Sequence, residues 1–346
     1  MYEIDFWNVG SATKSSDAIS VRLTDPTTAK NVVIVVDGGF AAHASELAGE
    51  ISAAYGTTEV DLAISTHPDA DHINGLETIV KDLNVKELLL HLPSSRGYNG
   101  DETGSNAANE LAKIAKEEGT AVIEPTQGLQ RFGGTLTIVG PSEDFYRQML
   151  EAQVSGTNGV ASALQKALRE LRLAEKAIVS KLRQILTGDP GETLTNSEGD
   201  TFPRNNTSVI TLLQVDGKSL LLTGDAGVPA IDGALDFIDV NPHALIRYPL
   251  RFVQIPHHGS RHNVSVDLLD RLLGPPNSQT EGTTSAFVSA TAQDEHHPHP
   301  KVLNAFKRRG CMPNTNEDQS IRHQHNAPNR ENYSKLDPLP WYSESD

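Results

Sequence analysis

The chain has 346 residues, of which 37% are hydrophobic, so it can bury a real core as one large domain or two ordinary ones. The formal net charge is −16, from 29 basic and 45 acidic residues, which disfavours a protein that holds nucleic acid by a broad basic surface. A local basic cleft near bound cations stays compatible with this balance. No apolar run approaches the roughly 18 residues of a transmembrane helix, and Cys311 is the only cysteine, so we expect a cytoplasmic protein with no membrane partner.

Short apolar runs separated by turn residues predict alternating strands and helices. Strands are predicted at residues 1–10, 16–23, 31–39, 60–65, 85–93, 135–141, 251–260 and 285–290. Helical spacing predicts helices at residues 41–56, 72–84, 106–119, 266–274 and 299–310. Residues 208–227 predict a hairpin, because Asp216 and Gly217 tolerate the positive φ of a tight two-residue loop. This order of elements is typical of a layered α/β or α+β domain.

Two stretches depart from this pattern. Residues 161–186 carry apolar side chains at alternating spacings of four and three, which predicts a long amphipathic helix. That helix either docks on its own domain or acts as a lid, a homodimer contact or a contact with a protein partner. The tail, residues 311–346, is rich in Asn, Ser and Pro and is predicted to be polar and largely irregular. We therefore expect one domain over residues 1–310, with a helical insertion at about 145–203, followed by the tail.

The segment THPDADHINGL (66–76) crowds His67, Asp69, Asp71 and His72 into six positions, directly after a predicted buried strand. Strand ends that lead into helices are where α/β layers place functional groups. Imidazoles and carboxylates hold divalent cations, and adjacent carboxylates repel one another unless cations lie nearby. The alternative is a polar turn in which Asp71 caps the helix, but a cap needs one such residue rather than four. The segment therefore predicts a metal site.

THPDADH resembles the His-x-His-x-Asp-His signature of the metallo-β-lactamase fold, with Asp69 in place of the second histidine. This variant is similar to the competence-type (ComEC-like) branch and its soluble, stand-alone forms. Four more segments resemble elements of that branch in the same order: VVIVVDGGF (32–40), RNNTSVITLL with KSLLLTGDAG (204–227), VQIPHHGSRHN (253–263) and EHHPHPKVLNAFKRRG (295–310). Together they cover roughly residues 1–310, which leaves the 161–186 helix and the tail outside the match.

The resemblance implies a four-layer αββα fold, with two mixed β-sheets sandwiched between helices and the long helix as an addition. It also implies two divalent ions, zinc or manganese, bridged by a hydroxide. His67 and Asp69 would bind one ion, Asp71 and His72 the other, and Asp225 would bridge them. One of His257 and His258 would complete the second site; we favour His257, although the sequence alone does not choose. Asp69 makes the site harder than a histidine would, which suits Mn²⁺ beside Zn²⁺.

Other positions follow from the resemblance by their place in these segments. Asp37 would support the ligands from behind, and His297 would act beside Asp71 in catalysis, by protonating a leaving oxygen or holding a phosphate. The alternative for His297 is a packed or solvent-facing side chain. Asn205 and Asn206 stand near the family's middle histidine ligand, which has no clear equivalent, so that an asparagine or water would fill its place. Candidate substrate ligands are the side chains of Asn205, Asn206, Ser260 and Arg261.

The family's opening Gly-Asp is replaced by WNVGSATKSSDAISV, in which Asp17 is a candidate stand-in after a longer loop. Basic side chains close to these motifs could position an anionic backbone. They are Arg247, Arg251, Arg261, Lys307, Arg308 and Arg309. For the last three the alternative is pairing with the C-terminal end of a helix. Ser260 has an alternative as well, namely satisfying its local backbone, and His91 is a candidate partner behind a ligand.

The function that this pattern implies best is metal-dependent phosphodiester hydrolysis, with DNA as the substrate of a nuclease. An alternative is an esterase of small phosphodiesters such as choline-phosphate groups, which would use the same two-metal core. A third hypothesis is a metal-binding interaction module that docks a partner through residues 161–186. A β-lactam hydrolase is disfavoured, because the match is to the branch that carries aspartate at Asp69.

Overall fold

The computed structural model describes residues 1–11, 13–156, 192–195, 201–241, 248–276, 282–294, 296–317, 319–331 and 333–344. The predicted helix at 161–186 and the candidate phosphate ligand Arg247 lie outside the described residues. All statements below concern the described part of the chain.

Two mixed sheets form the centre of the domain. The first has the strand order β16-β1-β2-β3-β5-β7-β8. Its strands are β1 (Tyr2–Phe6), β2 (Ile19–Thr24), β3 (Asn31–Val36), β5 (Leu62–Ile64), β7 (Glu87–Leu89), β8 (Ala121–Ile123) and β16 (Ile321–His325). Strands β3, β5, β7 and β8 run parallel to one another, and such strands are covered on both faces, which explains the apolar run of β3.

The second sheet has the order β15-β14-β13-β12-β11-β10-β9. Its strands are β9 (Gln130–Arg131), β10 (Leu136–Gly140), β11 (Ile210–Val215), β12 (Lys218–Leu222), β13 (Leu250–Gln254), β14 (Thr284–Val288) and β15 (Cys311–Thr315). The predicted β11–β12 hairpin is confirmed, and its turn places Asp216 at φ 50° and Gly217 at φ 69°. A separate short parallel pair joins β4 (Glu59–Val60) to β6 (Asn84–Val85).

Helices cover the outer faces of both sheets. The helices are α1 (Ala44–Tyr55), α2 (Ala70–Ile73), α3 (Leu76–Asp82), α4 (Ser105–Glu117), α5 (Glu143–Ser155), α6 (Val228–Val240), α7 (Val266–Leu273) and α8 (Pro300–Arg308). Helices α1, α3 and α4 bury their apolar faces on the first sheet, and α6, α7 and α8 bury theirs on the second.

A third apolar cluster fills the space between the two sheets. Phe6 of the first sheet packs against Phe252 and Phe287 of the second, with ring centroids 5.8 and 5.6 Å away. Strand β1 alternates accordingly, since Phe6 points between the sheets while Glu3 and Asp5 point to the outer face. The predicted four-layer αββα arrangement is therefore confirmed.

The expectation of an irregular tail from residue 311 is wrong for residues 311–325. These residues form β15 and β16, which are the edge strands of the second and the first sheet. Their polar composition, including Pro313 within β15, hid them from the apolar pattern, but polar residues and proline are typical of edge strands. From residue 326 onward the chain has no regular elements among its described residues and crosses the open edge of the sandwich, where Leu336 packs on the inter-sheet cluster and Tyr342 on the second sheet's helices.

Candidate metal centre

The candidate site lies where parallel strands of both sheets end. Asp37 follows β3, His67 follows β5, Asp225 follows β12 and His257 follows β13. Crevices outside the carboxyl ends of parallel strands are the usual binding sites of α/β sheets. The two sheets meet here through their side chains, since Asp225 of the second sheet lies 3.7 Å from His67 Nε2 and 3.4 Å from His72 Nε2 of the first.

A tight turn after β3 positions the first group. Asp37 takes a left-handed φ of 59°, and its carboxylate accepts hydrogen bonds from Thr66 N–H at 2.8 Å and Thr66 Oγ1 at 2.6 Å. The neighbouring turns approach so closely that a Cβ on Gly75 would lie 1.8 Å from the Gly38 carbonyl oxygen. Glycine is needed for this close approach of the two turns. The approach places the His72 ring beside the Asp37 carboxylate.

The segment from His67 to His72 forms the turn between β5 and the short helix α2. The helix begins after Asp69, whose side chain makes no capping hydrogen bond, and Asp71 lies inside the helix. The alternative in which Asp71 serves as the cap is therefore wrong. The carboxylates face histidines instead, with Asp69 Oδ2 3.4 Å from His67 Nε2 and Asp71 Oδ2 3.8 Å from His72 Nε2.

Two left-handed residues follow β13. His257 and His258 have φ values of 48° and 52°, which is a strained conformation for side chains other than glycine and is concentrated at functional sites. The turn directs the two rings to different carboxylates. His257 Nε2 lies 3.6 Å from Asp225 Oδ2, whereas His258 Nε2 lies 3.4 Å from Asp71 Oδ2. The geometry thus favours His258 over His257 as the companion of Asp71 and His72, contrary to our preference from the sequence.

The histidines share one orientation, in which Nδ1 bonds to the protein and Nε2 faces the centre. His72 Nδ1 lies 2.8 Å from Asp37 Oδ2, His258 Nδ1 lies 3.1 Å from the Ser289 carbonyl oxygen, and His67 Nδ1 lies 3.0 Å from Thr66 Oγ1. Since a carboxylate or carbonyl accepts only from N–H, these contacts place a proton on Nδ1 of His72 and His258, so Nε2 is the nitrogen whose lone pair a metal ion would bind. This is the arrangement that metal-binding histidines adopt.

Buried polar atoms without hydrogen-bond partners converge at this point. Among the described residues they include Nε2 of His67, His72 and His258 and Oδ1 of Asp225. Buried polar groups are almost always paired, so a cluster of orphaned atoms indicates a missing partner. Three groups of side chains place their donor atoms within 4.8 Å of one another: His67–His72–Asp225, Asp71–His72–His258 and Asp17–Asp37–His72. Imidazole nitrogens and carboxylate oxygens of this kind fit divalent ions.

The charges of these groups respond to one another. Burial raises the pKa of Asp225, but the charges of His72 and His257 outweigh it and hold the pKa well below its ordinary value. Burial lowers the pKa of His72, but Asp225 and Asp71 outweigh it and raise that pKa well above its ordinary value. The pKa of His258 rises to about 9, because the Asp71 carboxylate, 3.4 Å from Nε2, and the charge of Asp225 overcome desolvation. The carboxylates therefore draw positive charge into the site, which divalent cations supply.

Asp17 lies at the base of the site. Its Oδ2 accepts from Gln254 Nε2 at 3.0 Å and is 4.0 Å from His72 Nδ1, while its Oδ1 has no hydrogen-bond partner among the described residues. Burial raises the pKa of this carboxyl group, and the charges of His258 and His72 offset part of that effect. The candidate stand-in from the longer loop thus reaches the site, behind His72.

The other predicted site residues lie around this centre. The His297 ring stacks on His257 at 5.8 Å, and its Nδ1 is 3.3 Å from Asp294 Oδ2. Asn205 Nδ2 lies 3.2 Å from the His257 ring, while Asn206 Oδ1 accepts from Gly227 N–H at 3.1 Å. Ser260 Oγ accepts from His262 N–H at 3.3 Å, which is the local backbone role named as its alternative. Arg261 begins the 3₁₀ turn that follows, and a substrate role for it stays a prediction.

Three residues of the site carried no signal that we used. Arg204 donates to Asp69 Oδ1 at 2.9 Å and to the carbonyl oxygens of Asp101 and Glu102 at 2.9 and 2.7 Å. Asn263 donates to the Asp225 carbonyl and accepts from His257 Nδ1, both within 3 Å. Gln254 bonds the Thr223 and Gly224 N–H groups before Asp225. All three stand within the quoted motifs, which was the available signal.

The arginines at the C-terminal end of α8 pair with side chains and backbone of the fold. Arg309 is fully buried between Glu192 and Asp270 and also donates to the Ala305 carbonyl oxygen, while Arg308 pairs with Glu344 at 2.7 Å. This supports pairing at the end of the helix rather than phosphate binding. His91 stacks on Tyr146, with ring centroids 4.1 Å apart, and the charged side chains that act on it are Arg96, Glu124 and Glu143 rather than those of the metal centre.

The chain is distantly similar to known proteins in sequence and in structure. No family model matches the chain. ComE operon protein 3 of Bacillus subtilis (strain 168) is 22% identical over 256 residues, which is 74% of this chain but 23% of that protein. The chain thus spans less than a quarter of that relative. A crystal structure of a Thermotoga maritima protein classed as a metallo-beta-lactamase covers 65% of this chain and 78% of its own, with 13% identity. Its TM-score of 0.33 is too low to bear on function.

No helix in the described part of the chain is both long and apolar enough to cross a membrane. The site itself has the donor set of a metal-dependent hydrolase, with histidines and aspartates from both sheets converging on one crevice.

Proposed function

We propose that the chain is a metal-dependent phosphodiesterase that cleaves DNA with two divalent ions, zinc or manganese. One observation carries the proposal: Asp225 lies within 4 Å of Nε2 of His67, His72 and His257, and among the described residues Nε2 of His67, His72 and His258 has no hydrogen-bond partner. A carboxylate in that place can bridge two cations. His67, Asp69 and Asp225 would hold one ion, and Asp71, His258 and Asp225 the other, with His72 Nε2 within reach of both groups.

Two ions about 3.5–4 Å apart would lower the pKa of a bound water and stabilise charge on the oxygens of a phosphodiester. The protein contributes rigid placement. Asp37 orients His72 through Nδ1, and Arg204 holds one oxygen of Asp69 so that the other faces His67. Such supporting contacts fix the ligand directions and raise metal affinity.

His297 is the candidate for proton exchange with the substrate. Its ring lies over His257, its side chain is 27% exposed, and Asp294 lies at Nδ1. Burial lowers the pKa of His297, partly offset by Asp294, so the ring is neutral at neutral pH. With Nδ1 committed to Asp294, Nε2 is the atom that could bind a phosphate-linked hydroxyl or exchange a proton with a leaving oxygen.

DNA is proposed as the substrate because the motifs resemble the competence-type branch, and the match to ComE operon protein 3 agrees with that resemblance. An esterase of small phosphodiesters is the second candidate. The net charge of −16 favours it, since a small substrate needs no extended basic surface.

The test is cleavage of end-labelled single- and double-stranded DNA in Mn²⁺ or Zn²⁺, comparing the wild type with Asp71→Ala. Asp82→Ala, which removes an exposed carboxylate at the end of α3, is the matched control. We expect metal-dependent cleavage by the wild type and the control and its loss in Asp71→Ala. Equal cleavage by all three proteins would contradict the proposal, and cleavage restricted to a small phosphodiester would favour the esterase.

A further inference from the structure

A cavity of about 360 Å³ adjoins the candidate metal centre. It lies between the C-terminal end of α5 and the segment 202–205, and its lining includes Asp69, Glu102, Gln153, Phe202, Arg204 and Asn205. Its volume is at the lower end of the roughly 300–1,000 Å³ typical of small-molecule sites. It is therefore large enough for one nucleotide unit, and not for a folded partner.

The cavity shares its inner wall with the metal centre. Asp69 faces the cavity, while its Oδ2 lies 3.4 Å from His67 Nε2. Asn205 also lines it, and Asn205 Nδ2 lies 3.2 Å from the His257 ring. A group held in the cavity and a phosphate held at the ions could therefore belong to the same nucleotide.

The outer wall carries a flat aromatic surface. Phe202 is 72% exposed, among the most exposed large hydrophobic side chains of the described residues. Single exposed rings are common on protein surfaces, but this ring lines a cavity beside the candidate metal centre, where a ligand could stack on it. Aromatic rings beside phosphate sites stack on nucleobases, and this stacking tolerates any base sequence.

The lining also offers hydrogen-bonding groups. Gln153 Oε1 is buried and has no hydrogen-bond partner among the described residues, although Gln153 Nε2 donates to the Met149 carbonyl oxygen at 3.2 Å. Rotation of the Gln153 amide toward the cavity would present this oxygen as an acceptor for an amino or imino group of a ligand. Nucleobases carry such donors on their edges.

We propose that this cavity receives an unpaired nucleobase of the nucleotide next to the scissile phosphodiester, stacked on Phe202. The inference rests on the proposed function and names its substrate form. A base inside a duplex has both faces covered by its neighbours, so the cavity selects single-stranded or frayed DNA. A quaternary ammonium group fits the cavity less well, because such groups are held by cages of several rings and Phe202 is the one aromatic side chain among the described residues of the lining.

The test uses single-stranded oligonucleotides that are identical except for one abasic position beside the cleaved bond. We expect Phe202→Ala to lower kcat/KM on the intact oligonucleotide by about tenfold to a hundredfold, mainly through KM, and to have no effect at the abasic position. Phe202→Trp should restore the loss. Trp341→Ala, which removes another exposed aromatic ring from the far tail, should change neither value.

Binding provides a second readout that does not need turnover. In the Asp71→Ala background, fluorescence anisotropy should show weaker binding of the intact oligonucleotide when Phe202→Ala is added, and equal binding of the abasic one. Equal effects of Phe202→Ala on both oligonucleotides, or none on either, would overturn the inference while leaving the nuclease intact. A loss confined to a choline-phosphate ester would overturn it in favour of an ammonium ligand. No metal-dependent cleavage of any DNA by the wild type would instead refute the proposed function.

Discussion

Two buried clusters of charged side chains in the described part of the chain differ in how far the protein itself completes them. One is the β1 cluster, which we define as Glu3, Asp5, Arg22, Arg322 and Arg330. The other is the candidate metal centre at the carboxyl end of the parallel strands. Both place several carboxylates out of water, which costs free energy unless partners compensate.

In the β1 cluster every carboxylate oxygen has a partner. Arg330 bonds Asp5 Oδ1 at 2.8 Å and Glu3 Oε2 at 2.8 Å, and Tyr55 Oη donates to Asp5 Oδ2 at 2.7 Å. Arg22 binds the remaining Glu3 oxygen at 2.5 Å. Arg322 also pairs with Glu3. Two carboxylates thus meet three guanidinium groups, and the tail that carries Arg330 is fastened to β1.

The candidate metal centre has the opposite balance. Its five carboxylates face one guanidinium group, from Arg204, and four inward-facing imidazole nitrogens, of which three lack hydrogen-bond partners among the described residues. The carboxylates are Asp17, Asp37, Asp69, Asp71 and Asp225. A cluster that the fold leaves incomplete needs a cation, whereas a cluster that it completes is structural. This difference is the physical basis on which we place function at one cluster and not at the other.

The largest expected effect comes from removing the carboxylate between the two donor groups. Asp225→Asn keeps the shape of a buried side chain but removes the charge that two cations would share. We expect metal-dependent activity to fall by more than the ten- to hundredfold that changes to supporting residues cost. The rise in thermal stability on adding Mn²⁺ or Zn²⁺, worth about 2.7 kcal/mol at a concentration one hundred times the Kd, should also disappear. An unchanged metal-induced shift would show that no cation binds at Asp225.

Arg330→Met tests the completed cluster. It leaves Asp5, which is fully buried, with Tyr55 as its remaining partner of those described above, and breaking a buried pair in this way costs about 3–5 kcal/mol. We expect that loss in the free energy of unfolding, measured with urea, and no change in kcat/KM or metal affinity. Restored stability in the double variant Asp5→Asn/Arg330→Met would assign the loss to the unpaired carboxylate. A loss below about 1 kcal/mol would mean that the tail contributes little to holding the fold.

Much of the site could be predicted from the sequence because its ligands cluster locally. His67, Asp69, Asp71 and His72 stand within six positions, and the elements that flank them have clear periodicity. The hairpin before Asp225 was also visible, because its turn needs residues such as Asp216 and Gly217. Local patterns of this kind are read from the chain without knowing its tertiary contacts.

Contacts between distant segments could not be predicted in this way. The choice between His257 and His258 depends on two left-handed φ angles that decide which carboxylate each ring meets. Arg204 is 135 positions from Asp69 in sequence. The strands of the tail are polar because they form sheet edges, so their place is decided by pairing with β14 and β1 rather than by their own hydrophobicity.

His91 sharpens the comparison, because both of its ring nitrogens are also buried without partners among the described residues. Here burial, assisted by the charge of Arg96, outweighs the opposing charges of Glu124 and Glu143 and lowers the pKa from its ordinary value of 6.5 to about 3. The folded state therefore keeps a neutral ring while the unfolded state gains a proton below pH 6.5. This contribution to stability is complete above pH 6.5 and is lost progressively as the pH falls toward 3.

At pH 5 the loss amounts to about 2 kcal/mol relative to pH 7.5. His91→Phe, which keeps a flat ring against Tyr146 and cannot titrate, should reduce the pH dependence of the free energy of unfolding by that amount. Urea titrations at the two pH values give the difference directly, and the other histidines cancel between the two proteins. Identical pH dependence in both proteins would mean that His91 has a partner that raises its pKa, and an orphaned nitrogen would then be a weaker sign of a ligand site.

The smallest expected effect lies at the border between the two kinds of cluster, where Arg204 supplies the one guanidinium of the metal centre. Its Nη1 donates to Asp69 Oδ1, and its Nη2 donates to the carbonyl oxygens of Asp101 and Glu102. A planar guanidinium group can serve both sets of acceptors at once, whereas a single ammonium group cannot. Arg204→Lys keeps the charge but loses part of this geometry, so we expect metal affinity and kcat/KM to fall about tenfold.

The matched control is Arg131→Lys, because Arg131 of β9 forms a partly exposed pair with Glu87 of β7. It should change neither metal affinity nor kcat/KM. A tenfold loss with unchanged KM for the oligonucleotide would mean that Arg204 acts through Asp69 and not by binding substrate. If KM rises while metal affinity stays constant, Arg204 contacts the substrate itself. In that case the bound cation, and not Arg204, fixes the position of the Asp69 carboxylate. Either result decides whether the fold completes this one ligand in advance, as it completes the β1 cluster, or leaves it to the ion.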